Sequence, residues 1–336
     1  MNFTQIGDLA QSLVMRRQNT LLKGQLNNLT QELASGRKSD VGQSLSGDFA
    51  LLGEFERGLT MLKGYGLAIT DARVFTDTVQ SALNQLQTLS GNLGSAALSA
   101  ASAGLAAPID GVIAEAKQDF GAIISALNVD VAGRALFAGA ATDGPAVAEP
   151  ELILAELSTA LSGAVTVDDI MTRVDSWFMD PGGGFETSGY LGSDTSIAPF
   201  RLGENDAVHH QLRADASELR AMLRDTALAA LAGDSGVALD LTEKAQLLRK
   251  AGEGLLGGQA GLTRIRSDLG FVQERVGAAE VQLGAKRSSL EIARNAVVVA
   301  DPFETATRLE AAQVQLETLY TVTARMSRLS LVEYLR

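Results

Sequence analysis

Apolar residues recur at alternating steps of three and four at both ends of the chain, which predicts an amphipathic helix at each terminus. Each helix needs a partner, because an isolated helix with one apolar stripe cannot bury that stripe alone. We interpret the two stripes as an assembly interface; the plainer interpretation is a helical bundle whose first and last helices pair. The stripes comprise Ile6, Leu9, Leu13, Leu22, Leu26, Leu29 and Leu33, and then Leu309, Leu316, Leu319 and Met326.

Heptad spacing also runs through two longer stretches inside the chain. Gly104 to Pro108 divides the first of these stretches into two helices. The second stretch is expected to form a coiled coil within the chain, because its seam keeps the heptad period over many turns. The seam residues of this predicted intrachain coiled coil are Leu269, Val272, Val276 and Leu283.

Three glycines, Gly270, Gly277 and Gly284, recur at one heptad position beside that seam. Glycine inside a helix costs about 1 kcal/mol relative to alanine, so the row predicts that the backbone of another helix comes very close. The run Val297-Val298-Val299 follows and is β-branched throughout. We predict that this run is a non-helical link before the C-terminal helix, which Pro302 begins.

Residues 143–206 differ in composition from the helical stretches around them. They hold four of the six prolines and the run Gly182-Gly183-Gly184, and two short helices followed by strands and loops are expected there. Just before them, the apolar segment Arg134 to Gly139 reads as a strand that enters a turn. Helical pattern is expected to return at about Asp206.

The predicted fold is mainly α. We expect an elongated coiled-coil bundle built from both termini, with a β-hairpin and a small α+β outer insert domain. The predicted domains are an N-terminal helix and linker at 1–46, the first half of a helical body with the hairpin strand at 47–142, the outer insert at 143–206, the second half of the body at 207–299, and a C-terminal helix at 300–336.

The net charge of −12 is concentrated in the predicted insert. Residues 1–140 carry 12 acids and 10 bases, residues 141–207 carry 12 acids and 2 bases, and residues 208–336 carry 16 of each. The insert is therefore expected to face outward, while the nearly neutral flanks can pack against copies of themselves. No basic stripe is present, which disfavours nucleic-acid binding, and no apolar run is long enough to predict a membrane span.

Candidate chemistry is sparse along the chain. His209 and His210 are adjacent at a predicted helix start, and neighbours on a helix point about 100° apart, so we do not expect them to share a metal. Asp168 and Asp169 are expected to cap a helix, and Trp177 is expected to anchor the core of the insert. No catalytic, metal-binding or cofactor-binding residue is predicted, the chain has no Cys, and we expect no enzymatic activity.

Four stretches occur in a characteristic order. They are Leu33-Ala34-Ser35-Gly36-Arg37-Lys38, then Leu136-Phe137-Ala138-Gly139, then Leu269-Gly270-Phe271-Val272-Gln273-Glu274-Arg275-Val276, and finally residues 300–336 with Ala306-Thr307-Arg308-Leu309 and the closing Leu329-Ser330-Leu331-Val332-Glu333-Tyr334-Leu335. On these stretches the chain resembles the flagellin superfamily, and more specifically the flagellar hook-associated proteins of the FlgL type. The resemblance covers residues 1–142 and 207–336. The chain departs from the family at 39–44, which lacks the usual Pro- and Asp-rich stretch.

The resemblance implies a structural subunit of the bacterial flagellum, at the hook–filament junction. It implies paired terminal helices in the inner tube, an insert on the outer surface, and helical self-assembly with copies of itself, an adjacent junction protein and flagellin. It also implies extracellular localisation after type III export, without a cleaved signal peptide and with a cytosolic chaperone.

Two alternatives stay open at this point. One is filament flagellin itself, which belongs to the same family. The other belongs to a different class, a soluble coiled-coil adaptor with no flagellar role.

Overall fold

The computed structural model describes residues 4–44, 49–233 and 239–334, with side chains described over the same ranges except at 4–9, 11, 43–44 and 327–334. The chain is mainly α, as predicted. The helices are α1 (Thr4–Ser35), α2 (Val41–Ser44), α3 (Ala50–Ala103), α4 (Ala106–Leu127), α5 (Pro150–Ala160), α6 (Val167–Met179), α7 (Ser217–Leu231), α8 (Leu241–Val298) and α9 (Pro302–Tyr334).

The described residues also form a one-turn π-helix at Phe185–Gly189 and two small antiparallel hairpins. Strand β1 (Asp130–Val131) pairs with β2 (Arg134–Ala135), and β3 (Phe200–Arg201) pairs with β4 (Ala207–Val208). The chain divides into two compact units. Unit 1 comprises Met1–Leu62 and Gly284–Arg336, and unit 2 comprises Lys63–Leu283.

Within unit 2, α3 and α8 run antiparallel and bury their apolar stripes against each other. Polar contacts beside the stripe fix the register of the two helices. The Gln259 amide donates to Ser90 Oγ at 3.0 Å, the Gln87 amide donates to Thr263 Oγ1 at 3.0 Å, and the Gln273 amide donates to Asp77 Oδ1 at 2.7 Å. The buried stripe includes Val79, Leu83, Leu86 and Leu93 of α3 and Leu255, Leu262, Leu269 and Val276 of α8.

The four predicted coiled-coil positions all lie on this α8 stripe. Leu269 and Val276 are buried, and Val272 and Leu283 are half-buried and pack against the same core. Leu283 lies beside Gly66 of α3, where a β-carbon would come within 3.3 Å of its methyl group. The seam therefore meets α3 of the same chain.

The glycine row of α8 does not behave as predicted. A β-carbon added at Gly270, Gly277 or Gly284 would meet no atom within 4 Å, so no described helix of the chain comes close there and the prediction was wrong. The close approach lies further back along α8. A β-carbon on Gly252 would lie 2.9 Å from the carbonyl oxygen of Gly94 in α3.

The predicted insert shares its core with the helical body. Helix α4 packs against α7, and α6 of the insert packs against α7 as well. Trp177 and Phe178 meet edge to face at 4.7 Å, and Phe178 packs 5.7 Å from Phe185, all within the continuous core of unit 2. The expected anchoring role of Trp177 is consistent with this packing.

Two arginines of α7 hold the acidic insert in place. Arg220 pairs with Glu186 at 2.9 Å and donates to the carbonyl oxygen of Met179 at 3.1 Å. Arg224 pairs with Asp175 at 2.7 Å and with Asp225 at 2.8 Å. Because the Asp225 carboxyl is buried, desolvation raises its pKa although Arg224 lies beside it.

Of the two aspartates predicted to cap α6, Asp169 takes part in the cap, and Thr166 is the N-cap residue. Thr166 Oγ1 accepts a hydrogen bond from the Asp169 N–H, and Asp169 Oδ2 accepts one from the Thr166 N–H, each at 3.1 Å. This reciprocal arrangement is a capping box. These hydrogen bonds lower the pKa of Asp169, and the bond with the Thr166 side chain has the largest effect.

Three boundaries differ from the sequence prediction. Strand β2 is only two residues long, and Leu136, Phe137 and Ala138 are buried in the core without strand pairing. Helix α8 continues through Val298, because that residue is buried and can extend the helix despite its branched side chain. Helix does not return at Asp206, since β4 and an extended segment occupy the chain until α7 begins at Ser217.

Gly139 lies where two backbone segments come close together. The Ala140 N–H donates to the Thr195 carbonyl oxygen at 2.8 Å, and the Ser193 N–H donates to the Ala138 carbonyl oxygen at 2.9 Å. Gly139 has a φ of 61°, and a β-carbon there would lie 2.6 Å from the Ser193 oxygen and 2.5 Å from the Thr195 oxygen. Only glycine fits this position without strain.

We therefore expect Gly139→Ala to lower the free energy of unfolding by about 2–3 kcal/mol, because it adds both left-handed strain and a collision with backbone oxygens. Gly144→Ala is the matched control, since a β-carbon at Gly144 meets open space. Urea titration followed by circular dichroism measures both variants. Equal stability of the two variants would contradict this account of Gly139.

Candidate assembly surface

The first and last helices pair with each other inside unit 1. Helices α1 and α9 run antiparallel in contact along their length. The Thr323 hydroxyl of α9 donates to Met15 Sδ of α1 at 3.6 Å. Further along the pair, the Tyr320 hydroxyl is hydrogen-bonded by the side chains of Asn19 and Lys23, and these bonds lower its pKa.

Backbone hydrogen bonds close one end of this pair. The chain leaves α1 through Gly36, whose φ of 67° is the left-handed conformation that commonly follows the end of a helix. The Lys38 N–H then donates to the Val298 carbonyl oxygen at 2.9 Å, and the Ala300 N–H donates to the Gly36 carbonyl oxygen at 3.1 Å. The turn after α1 and the link between α8 and α9 are thus held together as one unit.

Side-chain caps order both sides of that closure. Asp301 Oδ1 accepts hydrogen bonds from the N–H groups of Phe303 and Glu304 at the start of α9, at 2.8 and 3.1 Å. Glu32 Oε1 accepts from the backbone N–H and the hydroxyl of Ser39, at 2.8 and 2.9 Å. These bonds fix the direction in which the chain leaves α1 and the direction in which α9 begins.

The predicted terminal stripes meet along the α1–α9 contact only in part. Leu29 and Ala312 are buried. The other inward positions stay half-buried in the single chain: Leu22, Leu26, Leu309, Leu316, Leu319 and Met326. Leu33 is 43% exposed. The side chains of Ile6 and Leu9 lie outside the described residues.

Leu13 belongs to a different face of α1 from Leu29. Sixteen residues separate the two, which at about 3.6 residues per turn places them on roughly opposite sides of the helix. Leu13 is accordingly 62% exposed while Leu29 is 6% exposed. The sequence stripe through both residues therefore joins two separate faces.

A second set of apolar side chains points away from the α1–α9 contact. Phe303 is 84% exposed and Val314 is 62% exposed, and they share one side of α9 opposite Leu316. The exposed large apolar residues of the terminal helices that lie outside this contact are Leu13, Val14, Leu21, Phe303, Val314 and Val322. We call this set the outer apolar face.

Heptad counting missed most of the outer apolar face. Val14, Leu21, Phe303, Val314 and Val322 fall between the seam positions, where a two-stranded coiled coil normally carries polar side chains. That departure is the signal that could have revealed them. Apolar residues around most of a helix indicate more than one packing partner.

The described residues show no arrangement for metal binding. No group of three or more His, Asp or Glu side chains among them could hold a metal ion. The two histidines follow β4 and do not begin a helix, so that prediction was wrong. His209 is exposed, whereas His210 is buried. None of the described helices is long and apolar enough to cross a membrane.

Comparison with known proteins gives a match at the C-terminus. Residues 258–335 match the family model of the bacterial flagellin C-terminal helical region, which takes in most of α8 and α9. No curated protein matches the chain. One solved structure that resembles it is a Vibrio parahaemolyticus protein named as a flagellar hook-associated protein, with a TM-score of 0.43, 13% identity, and coverage of 73% of this chain and 99% of that chain. A likeness at that level decides nothing about function, so the specific finding is that the C-terminal helical region of this chain is similar to that of bacterial flagellin.

Proposed function

We propose that this chain is a structural subunit of the bacterial flagellum, and that it joins the hook to the filament by helical self-assembly. One observation carries the proposal. Helix α9 lies in the stretch that is similar to the flagellin C-terminal region, and its pair with α1 leaves large apolar side chains exposed on the outer apolar face. A single chain cannot bury that face.

The number of exposed large apolar side chains on α1 and α9 supports an interface with other subunits. Large apolar side chains are exposed on two adjacent helices. Full burial of one such side chain stabilises a protein or a complex by roughly 1.5–3 kcal/mol relative to leaving it in water. Contiguous exposed apolar patches on proteins commonly mark interaction sites. The partners proposed are copies of this chain, an adjacent junction protein and flagellin.

The junction position rests on the sequence resemblance. The segment Leu136-Phe137-Ala138-Gly139 and the arrangement of both halves are similar to hook-associated proteins, which favours the junction over the filament. The acidic insert is proposed to lie on the outside of the assembly. Export through the flagellar type III channel without a cleaved signal, aided by a cytosolic chaperone, belongs to the same proposal, as does the absence of enzymatic activity.

Deleting the gene in the bacterium that encodes this chain tests the proposal. Without a junction protein, flagellin has no platform on the hook, so cells should keep hooks, lack filaments and release flagellin into the medium. Electron microscopy of the cells and immunoblotting of the medium measure this. Loss of flagellin itself from both cells and medium would identify the chain as filament flagellin, and normal filaments would overturn a flagellar role.

Leu316→Asp tests the inward stripe of α9. In the single chain Leu316 is half-buried, so a charge there keeps access to water and should change the free energy of unfolding by no more than about 1 kcal/mol. In an assembly that covers the α1–α9 pair, the charge would be buried without a partner, which costs several kcal/mol. The variant should therefore be exported normally but should fail to support filaments when it replaces the natural chain.

Gln315→Asp is the matched control, because it adds the same charge at the neighbouring exposed position. Thermal melting of the purified chains and filament counts on cells compare the two variants. Normal filaments with Leu316→Asp, or a large fall in its melting temperature, would contradict the reserved role of this stripe.

A further inference from the structure

One of the two histidines of the chain lies inside a cluster of aromatic rings. The His210 ring meets Phe75 of α3 edge to face, with 4.9 Å between centroids, and Phe75 in turn packs 5.4 Å from Phe200 of β3. His210 is 6% exposed. The hairpin β3–β4 and the residues after it are therefore fastened to α3 through these three rings.

The His210 imidazole is held in its neutral form by this position. Nε2 is buried and has no hydrogen-bond partner, so the hydrogen bond between this ring and the Leu212 backbone uses Nδ1. Burial lowers the pKa of His210 to about 4, and the bond with Leu212 only partly offsets that effect. A proton added at Nε2 would place an unpaired N–H and a positive charge among apolar rings, which is strongly unfavourable.

Among the described residues, no carboxylate is placed to form an ion pair with a protonated His210. The shift in the His210 pKa has no contribution from any charged side chain. The charged groups of the surrounding elements are engaged with other partners or exposed to water. On α3, Asp71 pairs with Arg134, and Asp77 accepts a hydrogen bond from Gln273. On the hairpin, Asp206 pairs with Arg275, and the side chains of Arg201, Glu204 and His209 are exposed to water. After the hairpin, Arg213 pairs with Asp215.

The hairpin has a second attachment that does not depend on His210. Arg275 of α8 pairs with Asp206 at 2.6 Å, and both side chains remain partly exposed. Strands of two residues with one closed turn add little stability of their own. The hairpin also buries Leu202 and Val208 in the core of unit 2, so these side chains must leave the core together with the His210 ring when the hairpin is released.

We propose that His210 is an acid-operated latch: its neutral ring fastens the β3–β4 hairpin to α3, and its protonation releases the hairpin from that helix before the rest of unit 2 unfolds.

The direction of the pH dependence follows from the two states of the ring. In the released hairpin the imidazole is in water and takes up a proton near its ordinary pKa of 6.5, whereas the fastened ring resists protonation down to about 4. Between these values the released state binds more protons, so acid favours release. The equilibrium constant for release should rise by up to about tenfold for each pH unit lost within this window, and should level off below it.

The chain offers convenient chemistry for the measurement, because it contains no Cys. Val74→Cys on the exposed side of α3 and Glu204→Cys in the hairpin turn provide two spin-label positions within unit 2. The distance distribution between the labels, measured from pH 7.5 to 4, reports release directly, while circular dichroism reports global unfolding. In the natural background the narrow distribution should give way to a broad one as the pH falls, with helicity retained.

His210→Phe and His209→Gln separate the latch from general acid effects. His210→Phe keeps a ring in the cluster but cannot be protonated, so its narrow distribution should persist until global unfolding. His209→Gln removes the exposed neighbour and should open like the natural chain. It also leaves His210 as the only histidine, so the protonation of its ring can be followed as a single NMR signal.

These measurements decide the proposal even if His210→Phe does not fold. Release that coincides with protonation of the sole histidine in the His209→Gln chain supports the latch. Protonation without any change in the label distance overturns it. A folded His210→Phe chain that opens at the same pH as the natural chain overturns it as well.

Discussion

The structure depends on the burial of one apolar stripe, that of α8 against α3. Helices of 58 and 54 residues cannot keep a continuous apolar seam in water, and each supplies the surface that the other needs. The seam alone would tolerate sliding by a heptad, because its period repeats. The contacts of Gln259 with Ser90, Gln87 with Thr263 and Gln273 with Asp77 break that degeneracy and select one alignment.

The insert depends on the same scaffold. Its helices are too short to form an independent core, and they bury Phe178 and Phe185 against the apolar face that α4 and α7 present. Its excess negative charge is partly offset by Arg220 and Arg224, which lie outside the insert in the sequence. Composition identified the insert as a distinct segment, yet in packing it is continuous with the helical body.

Local sequence signals predicted local structure well here. The helix start beside Asp169 and the start of α9 at Pro302 were both predicted, and each follows from one or a few neighbouring residues. The errors concern features that tertiary packing decides. Val298 extends a helix because it is buried, and the run from Leu136 to Ala138 is apolar because it crosses the core, with little strand pairing. At the candidate surface, the stripe of α1 joined Leu13 to residues on another face, because three-four spacing over short stretches does not keep one face across the gap from Leu13 to Leu22. Phe303 and Val314 were missed because only the seam positions were counted.

The pairing of α1 with α9 can take place only late in the synthesis and folding of the chain. The α1 sequence precedes nearly all of the chain and the α9 sequence follows it. Helix α1 therefore lacks its packing partner while the residues between the two helices are being synthesised or exported. Pairing closes a loop of nearly the whole chain, which makes it the most non-local contact of the fold and therefore a slow one to form.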